Sequence, residues 1–252
     1  MGSKVEIPIA HGEANMEAVL GSGKLKVGIL IEPGVLMMDV VGAQAVFGMS
    51  PGVELYHVGK TEEPIHAWGG LTVVATTTYQ QCPPLDVIIM GAMAPQVFSD
   101  PETNAFLREQ AEYDPYLIGI CAGALMLGAA GLLKGRRATT NFQCIDRLNE
   151  FDCDVVEGGS VVEDGKLITA GPATGGFEAA IVALSRLKGE HAAKLQELNV
   201  EYHPTPVFGV GTPELAGPEL AEEVKAFGKD VFTACADGAA ASYRSLQAGE
   251  VR

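Results

Sequence analysis

Basic residues are scarce in this chain. Its 252 residues carry 17 Lys and Arg against 32 Asp and Glu, a formal net charge of -15. No basic run interrupts this background, so the surface repels phosphate backbones and nucleic acid is not an expected partner. The ordinary consequence of such a charge is solubility. Paired cysteines are also missing. Cys82, Cys121, Cys144, Cys153 and Cys235 are odd in number and form no Cys-x-x-Cys, which argues against a disulfide framework or a zinc knuckle. A reducing, cytoplasmic compartment is the expected home, and no metal site is expected. The opening residues lack the basic-then-apolar layout of a signal peptide. The most apolar run, 119–133, is too short and glycine-rich to span a bilayer, which takes ~20 apolar residues. It reads instead as a buried strand passing into a buried helix.

What is present is ample core material, 47% hydrophobic residues, together with 31 glycines. Small residues in the middle of a chain suit close strand-to-helix packing. Residues 1–24 show no sustained periodicity and read as an N-terminal arm. KVGILIE (26–32), stopped by Pro33-Gly34, and DVIIMGA (86–92), entered through Pro83-Pro84, are continuous apolar runs of the kind buried on both faces of a sheet. VELYHVG (53–59), LTVVATTTY (71–79), YLIGI (116–120) and 137–140 read as further strands. An Asp164-Gly165 pair between alternating runs over 155–170 signals a hairpin. Helices are expected from about Asp39 to Met49, over 99–112 with Ser99 at the cap, over 122–133, from about Gln143 to Asn149, over 176–187, near 191–198, and in the acidic, alanine-rich C-terminal stretch. Alternation of this kind predicts a mostly parallel sheet with helices on both faces, with ligands bound beyond the carboxyl ends of the strands. Three such ends stand out: Glu32 leading to Asp39, Gly91-Ala92, and Cys121.

Gly-Ile-Cys-Ala-Gly (119–123) is the sharpest feature. It has the form of a nucleophile elbow, in which flanking glycines let the chain turn abruptly from strand to helix and force the nucleophile into a strained backbone position. The N-terminus of the following helix is expected to favour a thiolate at Cys121. Cys144 and Cys153 lack such a turn and read as core residues; Cys82 and Cys235 read as inert. No histidine among His11, His57, His66, His191 and His203 falls at a strand end beside this site. The acid/base candidate is Asp39, embedded in Val35-Leu36-Met37-Met38-Asp39-Val40-Val41, where a carboxylate must be paired, raised in pKa, or used to cap the helix it begins. Backbone N–H groups of Ala92 and Ala122 are candidate receivers of developing negative charge. Gly91, Asn141 (within Thr139-Thr140-Asn141) and Thr174 (within Thr174-Gly175-Gly176) are candidate pocket residues.

Several segments together resemble the ThiJ/PfpI superfamily: GICAGALMLGAAGLLKGRRATTN, PGVLMMDVVGAQAVF and CPPLDVIIMGA. Within it, VVEDGKLITAGPATGGFEAAI and EYHPTPVFGVGTPE look most like isonitrile (isocyanide) hydratases. The resemblance covers about 25–215, leaving 216–252 as a C-terminal helical extension. It implies a flavodoxin-like α/β domain that forms a homodimer, needs no cofactor, and acts on a small molecule with Cys121 as nucleophile and Asp39 nearby. An isocyanide would leave as an N-substituted formamide. The chain departs from the hydratase pattern at three places near the pocket. Ala122 stands where threonine is typical, Met90-Gly91-Ala92 replaces Pro-Gly-Gly, and Thr139-Thr140-Asn141-Phe142 replaces Thr-Thr-His-Trp. Other readings compatible with the same cysteine are a glyoxalase-like or natural-product lyase or hydrolase, and a non-catalytic redox sensor.

Overall fold

The computed structural model describes residues 24–158 and 160–249. The arm expected over 1–24 lies, apart from Lys24, outside the described residues. In chain order the elements are β1 (Leu25–Leu30), α1 (Met37–Gly48), β2 (Val53–Gly59), β3 (Ile65–His66), β4 (Thr72–Val73), β5 (Thr77–Thr78), β6 (Val87–Met90), α2 (Pro95–Phe98), α3 (Pro101–Ala111), β7 (Tyr116–Ile120), α4 (Gly123–Ala129), β8 (Arg137–Ala138), a 3-10 helix (Ile145–Phe151), β9 (Asp154–Val155), β10 (Val161–Asp164), β11 (Leu167–Ala170), α5 (Gly175–Lys188), α6 (Glu190–Asn199), α7 (Pro213–Ala216) and α8 (Pro218–Gln247).

Seven strands form the main sheet in the order β10-β11-β7-β6-β1-β2-β5. Every pairing in it is parallel except the β10–β11 hairpin. The flavodoxin-like fold implied by the sequence is the one found. Its central strands β1, β6 and β7 are the apolar runs, buried along most of their length because helices cover both sides. The helices divide into two mutually packed groups, α1 with α5 and α6, and α8 with α2, α3 and α4. Strand order reverses at β1, whose neighbours are β2 on one side and β6 on the other. Such a switch point opens a crevice beyond the strand ends. Glu32, Ala92 and Cys121 all lie just past the ends of strands in this region.

Some local expectations shift. The run 71–79 divides into β4 and β5, which belong to different sheets. The cap of α3 is Asp100, not Ser99; the Asp100 carboxyl accepts from the Thr103 N–H at 3.1 Å and its hydroxyl at 2.6 Å. With Pro101 at the first helical position, Asp100 is the residue whose side chain reaches the free N–H groups. Regular helix after the elbow is limited to the seven residues of α4, and the 143–149 helix is instead a 3-10 helix displaced by two residues. The 164–165 hairpin turn is found, with Gly165 at φ 59. Among the described residues no helix is long and apolar enough to cross a membrane.

Candidate active site

Cys121 follows β7 and precedes α4. Its φ is 54, in the left-handed region that costs an L-residue roughly 1–2 kcal/mol. The strain therefore sits on the cysteine, while its flanking glycines solve a space problem. A side chain on Gly119 would press on the Ala124 backbone at 3.0 Å, and one on Gly123 would enter the Met90 carbonyl. The turn is pinned at both ends: Cys121 N–H donates to the Ala170 carbonyl at 2.8 Å, and the Cys121 carbonyl accepts from Thr140 Oγ1 at 2.6 Å. The role of Ala170 is not legible in the sequence, because a backbone acceptor leaves no mark on side-chain pattern.

Asp39 is fully buried in the first turn of α1. It does not cap its helix, whose capping position is Leu36 with no side-chain bond. Instead the carboxyl reaches across to the end of β6, where Oδ2 accepts the Ala92 N–H at 2.7 Å. The Ala92 carbonyl accepts the Leu36 N–H at 2.8 Å, so one residue holds the start of α1 at two points. Two glycines give Asp39 its room, one at the carboxyl and one at the backbone carbonyl. A Cβ on Gly91 would lie 2.6 Å from Asp39 Cβ, and one on Gly176 would run into the Asp39 carbonyl. Asp39 Oδ1 is buried without a hydrogen-bond partner of good geometry. The Cys121 thiol lies beside this carboxyl and still holds its pKa down somewhat, as does the Ala92 N–H. Burial outweighs both and lifts Asp39 from an ordinary 3.8 to about 7.

The sulfur's surroundings correct the expectation of a thiolate favoured by the helix terminus. Cys121 is 2% exposed. Burial pushes its thiol up, and the Asp39 carboxylate adds to that; the Ala122 N–H and the Asn141 amide pull it down without winning. A helix as short as α4 offers little dipole to counter desolvation. The resting pair is thus a thiol beside a carboxyl that titrates near neutrality, with the proton within reach of both groups.

The other candidate residues divide. Asn141 Nδ2 donates to Cys121 Sγ at 3.3 Å. Gly91 packs on Asp39, and the Ala122 N–H serves the sulfur. The Ala92 N–H is already committed to Asp39, so it is not a free oxyanion donor. Thr174 begins α5 with an exposed side chain that caps nothing; Gly176, two residues on, is the member of that segment that touches Asp39. Glu32 turns away from the pair, accepting the Tyr79 hydroxyl and the Lys60 N–H, each at 2.7 Å. His57 faces Gln44 and His66 faces Thr72, while His191 and His203 are exposed; His11 lies outside the described residues. Among the described residues no group of three or more His, Cys, Asp or Glu is placed to hold a metal ion.

Comparison with known proteins identifies the scaffold. The DJ-1/PfpI family profile matches residues 25–185. Isonitrile hydratase from Pseudomonas putida is 37% identical over 203 residues, covering 80% of this chain and 89% of that protein. A ThiJ/PfpI family protein from Pseudomonas syringae superposes with a TM-score of 0.83 at 29% identity, over 94% of this chain and 98% of that one. Drosophila melanogaster DJ-1beta shares the fold, with a TM-score of 0.66 at 19% identity over 72% of this chain and all of its own. The scaffold that carries the cysteine turn is therefore a shared one, and the chain belongs to the DJ-1/PfpI family.

Proposed function

We propose that this protein is a cofactor-independent isonitrile hydratase, with Cys121 as nucleophile and Asp39 as its proton carrier. The observation that carries the reading is the pairing of a buried thiol with a buried carboxyl whose Oδ1 has no other partner. Asp39 accepts the thiol proton as sulfur attacks the terminal carbon of R–N≡C, forming the S–C bond. It returns that proton to the same carbon, leaving the thioimidate R–N=CH–S. Water then adds across C=N, its hydroxyl going to carbon and a proton to nitrogen, with the carboxyl as shuttle. Collapse of the R–NH–CH(OH)–S adduct breaks the C–S bond, returns the hydroxyl proton to sulfur, and releases R–NH–CHO.

Two further features favour this substrate over a carbonyl compound. With the Ala92 N–H taken, the polar hydrogens at the sulfur are those of Ala122 and Asn141, which serve sulfur itself. Acyl transfer depends on donors kept for an oxyanion, whereas an isocyanide carbon develops none on attack. A sulfur that is 2% exposed is also reached more readily by a linear, terminal carbon than by a trigonal one with two substituents. The test is a panel of isocyanides, α-oxoaldehydes and esters with products identified by mass. Formamide from an isocyanide supports the proposal. Turnover confined to the other classes, or sulfinic acid at Cys121 with no turnover at all, overturns it.

The protein acts as a homodimer in the cytoplasm. The extended segment before α7 and the start of α8 expose Val207 at 87%, Phe208 at 86% and Phe227 at 95%. A lone chain gains nothing from leaving such side chains in water; a second copy would cover them. Sedimentation at micromolar concentration should give twice the chain mass, and a monomer would refute it. All five cysteines are free thiols, in keeping with a reducing compartment.

A further inference from the structure

Of three consecutive residues after β8, one ties the loop to β11 and two hold Cys121. Thr139 N–H donates to Thr169 Oγ1 on β11 at 2.9 Å, Thr140 Oγ1 donates to the Cys121 carbonyl at 2.6 Å, and Asn141 Nδ2 donates to Cys121 Sγ at 3.3 Å. The first two contacts fix the loop and the backbone of the elbow; the third reaches the reacting atom.

The orientation of the Asn141 amide is set by the chain itself. Its Oδ1 accepts the Gln143 N–H at 2.9 Å. Turned over, the amide would set NH2 against a backbone N–H, two donors face to face, and would bring its oxygen against sulfur. The NH2 group is therefore the end that meets the thiol. A donor at this place favours the thiolate over the thiol, because its hydrogen bond strengthens as sulfur gains charge.

We infer that Asn141 is a further catalytic residue, whose side-chain amide holds the Cys121 sulfur as a thiolate once its proton has passed to Asp39. This rests on Cys121 being the nucleophile. An amide holds charge but takes up no proton in the useful pH range, so among the described residues the thiol proton has Asp39 as its carboxylate destination at the sulfur. Asp39 receives and Asn141 stabilises, and neither residue duplicates the other.

The test measures the Cys121 thiol and needs no substrate, so it stands or falls apart from isonitrile hydration. The full chain is alkylated with iodoacetamide across pH 6–9, and each cysteine peptide is quantified by mass. In Asn141→Ala the thiolate fraction at Cys121 should fall about tenfold, roughly one pH unit's worth for a lost hydrogen bond to a charged group. Thiolates of higher pKa are better nucleophiles, with a Brønsted slope of about 0.4–0.5, so the observed rate should fall about threefold to fourfold. Cys82 should react as in the parent protein. Asn141→Asp keeps an acceptor for the Gln143 N–H while removing the donor, so the loop stays anchored and the Cys121 rate should fall at least as far. A purely structural role for Asn141 predicts a lower melting temperature with the alkylation rate unchanged. A Cys121 rate equal to or above that of the parent protein in either variant overturns the inference. Slower alkylation in both variants, in a protein that hydrates no isocyanide, would leave Asn141 as the thiolate donor and remove the substrate.

Discussion

Replacing Asp39 by Asn should make the protein slower, more stable at alkaline pH, and more reactive at its thiol, all at once. Asparagine fills the same buried space against Gly91. To keep the 2.7 Å bond from the Ala92 N–H it must present its oxygen there, which leaves its NH2 where the unpartnered Oδ1 stood. The proton acceptor for the thiol is then gone, and turnover should fall roughly 10²–10⁴-fold, the usual worth of a positioned acid/base group. The anion that raises the Cys121 thiol is gone too, so iodoacetamide should label Cys121 faster than in the parent. For stability the sign follows from the raised carboxyl. A folded-state pKa of about 7 against an ordinary 3.8 means that the contribution present at low pH is lost as pH rises through about 7. Between pH 5 and pH 8 the parent should lose on the order of 3 kcal/mol on this account. The variant, with nothing to ionise there, should not. Thermal melts of both proteins at the two pH values measure the difference, and steady-state kinetics measure the rest. The same carboxyl should govern the parent's kcat/KM, which should rise about tenfold per pH unit below 7 and level off above it. A folded Asp39→Asn protein that turns over within about threefold of the parent, or one whose melting temperature falls between pH 5 and pH 8 as steeply as the parent's, would remove Asp39 as the proton carrier.

Two further outcomes test the neighbouring residues. Cys121→Ala should abolish turnover, with a loss of several orders of magnitude, whereas Cys144→Ala, which alters a buried residue behind the elbow, should retain it; comparable kcat values in the two variants would remove Cys121 from the mechanism. Gly91→Ala should cut turnover at least tenfold in a folded protein, because its methyl would lie 2.6 Å from Asp39 Cβ and a displacement near 1 Å is enough to cost about 10²-fold; unaltered kinetics would mean that the carboxyl need not be held where it is.

Short-range pattern made much of the scaffold legible. Apolar runs long enough for a strand and bounded by Pro or Gly located β1, β6 and β7. The Gly-x-Cys-x-Gly spacing located the elbow, and an Asp-Gly pair located the β10–β11 turn. Each of these signals is a steric or hydrophobic demand met within a few residues of where it is written. Boundaries failed where the choice lay between near-equal local options. Ser99 and Asp100 are both good caps, and Pro101 decided between them. The β-branched run 71–79 has strand propensity throughout, yet its two halves find different partners, which no local rule foresees.

Residue pattern alone put a strained cysteine at the end of a central strand and a buried carboxylate after the first one. It could not determine what the carboxylate does there, since capping, pairing and proton transfer ask for the same residue at the same helix start. Tertiary packing removed capping from that choice by bringing the end of β6 across to Asp39, whose carboxyl bonds the Ala92 N–H and not its own helix. That contact consumed the Ala92 N–H that had looked available for an oxyanion and left Oδ1 buried without a hydrogen-bond partner. It also reversed the expected ionisation of Cys121. A helix terminus is a local feature readable from sequence, but desolvation depends on every element packed around the sulfur, and here it outweighs the few donors that reach it.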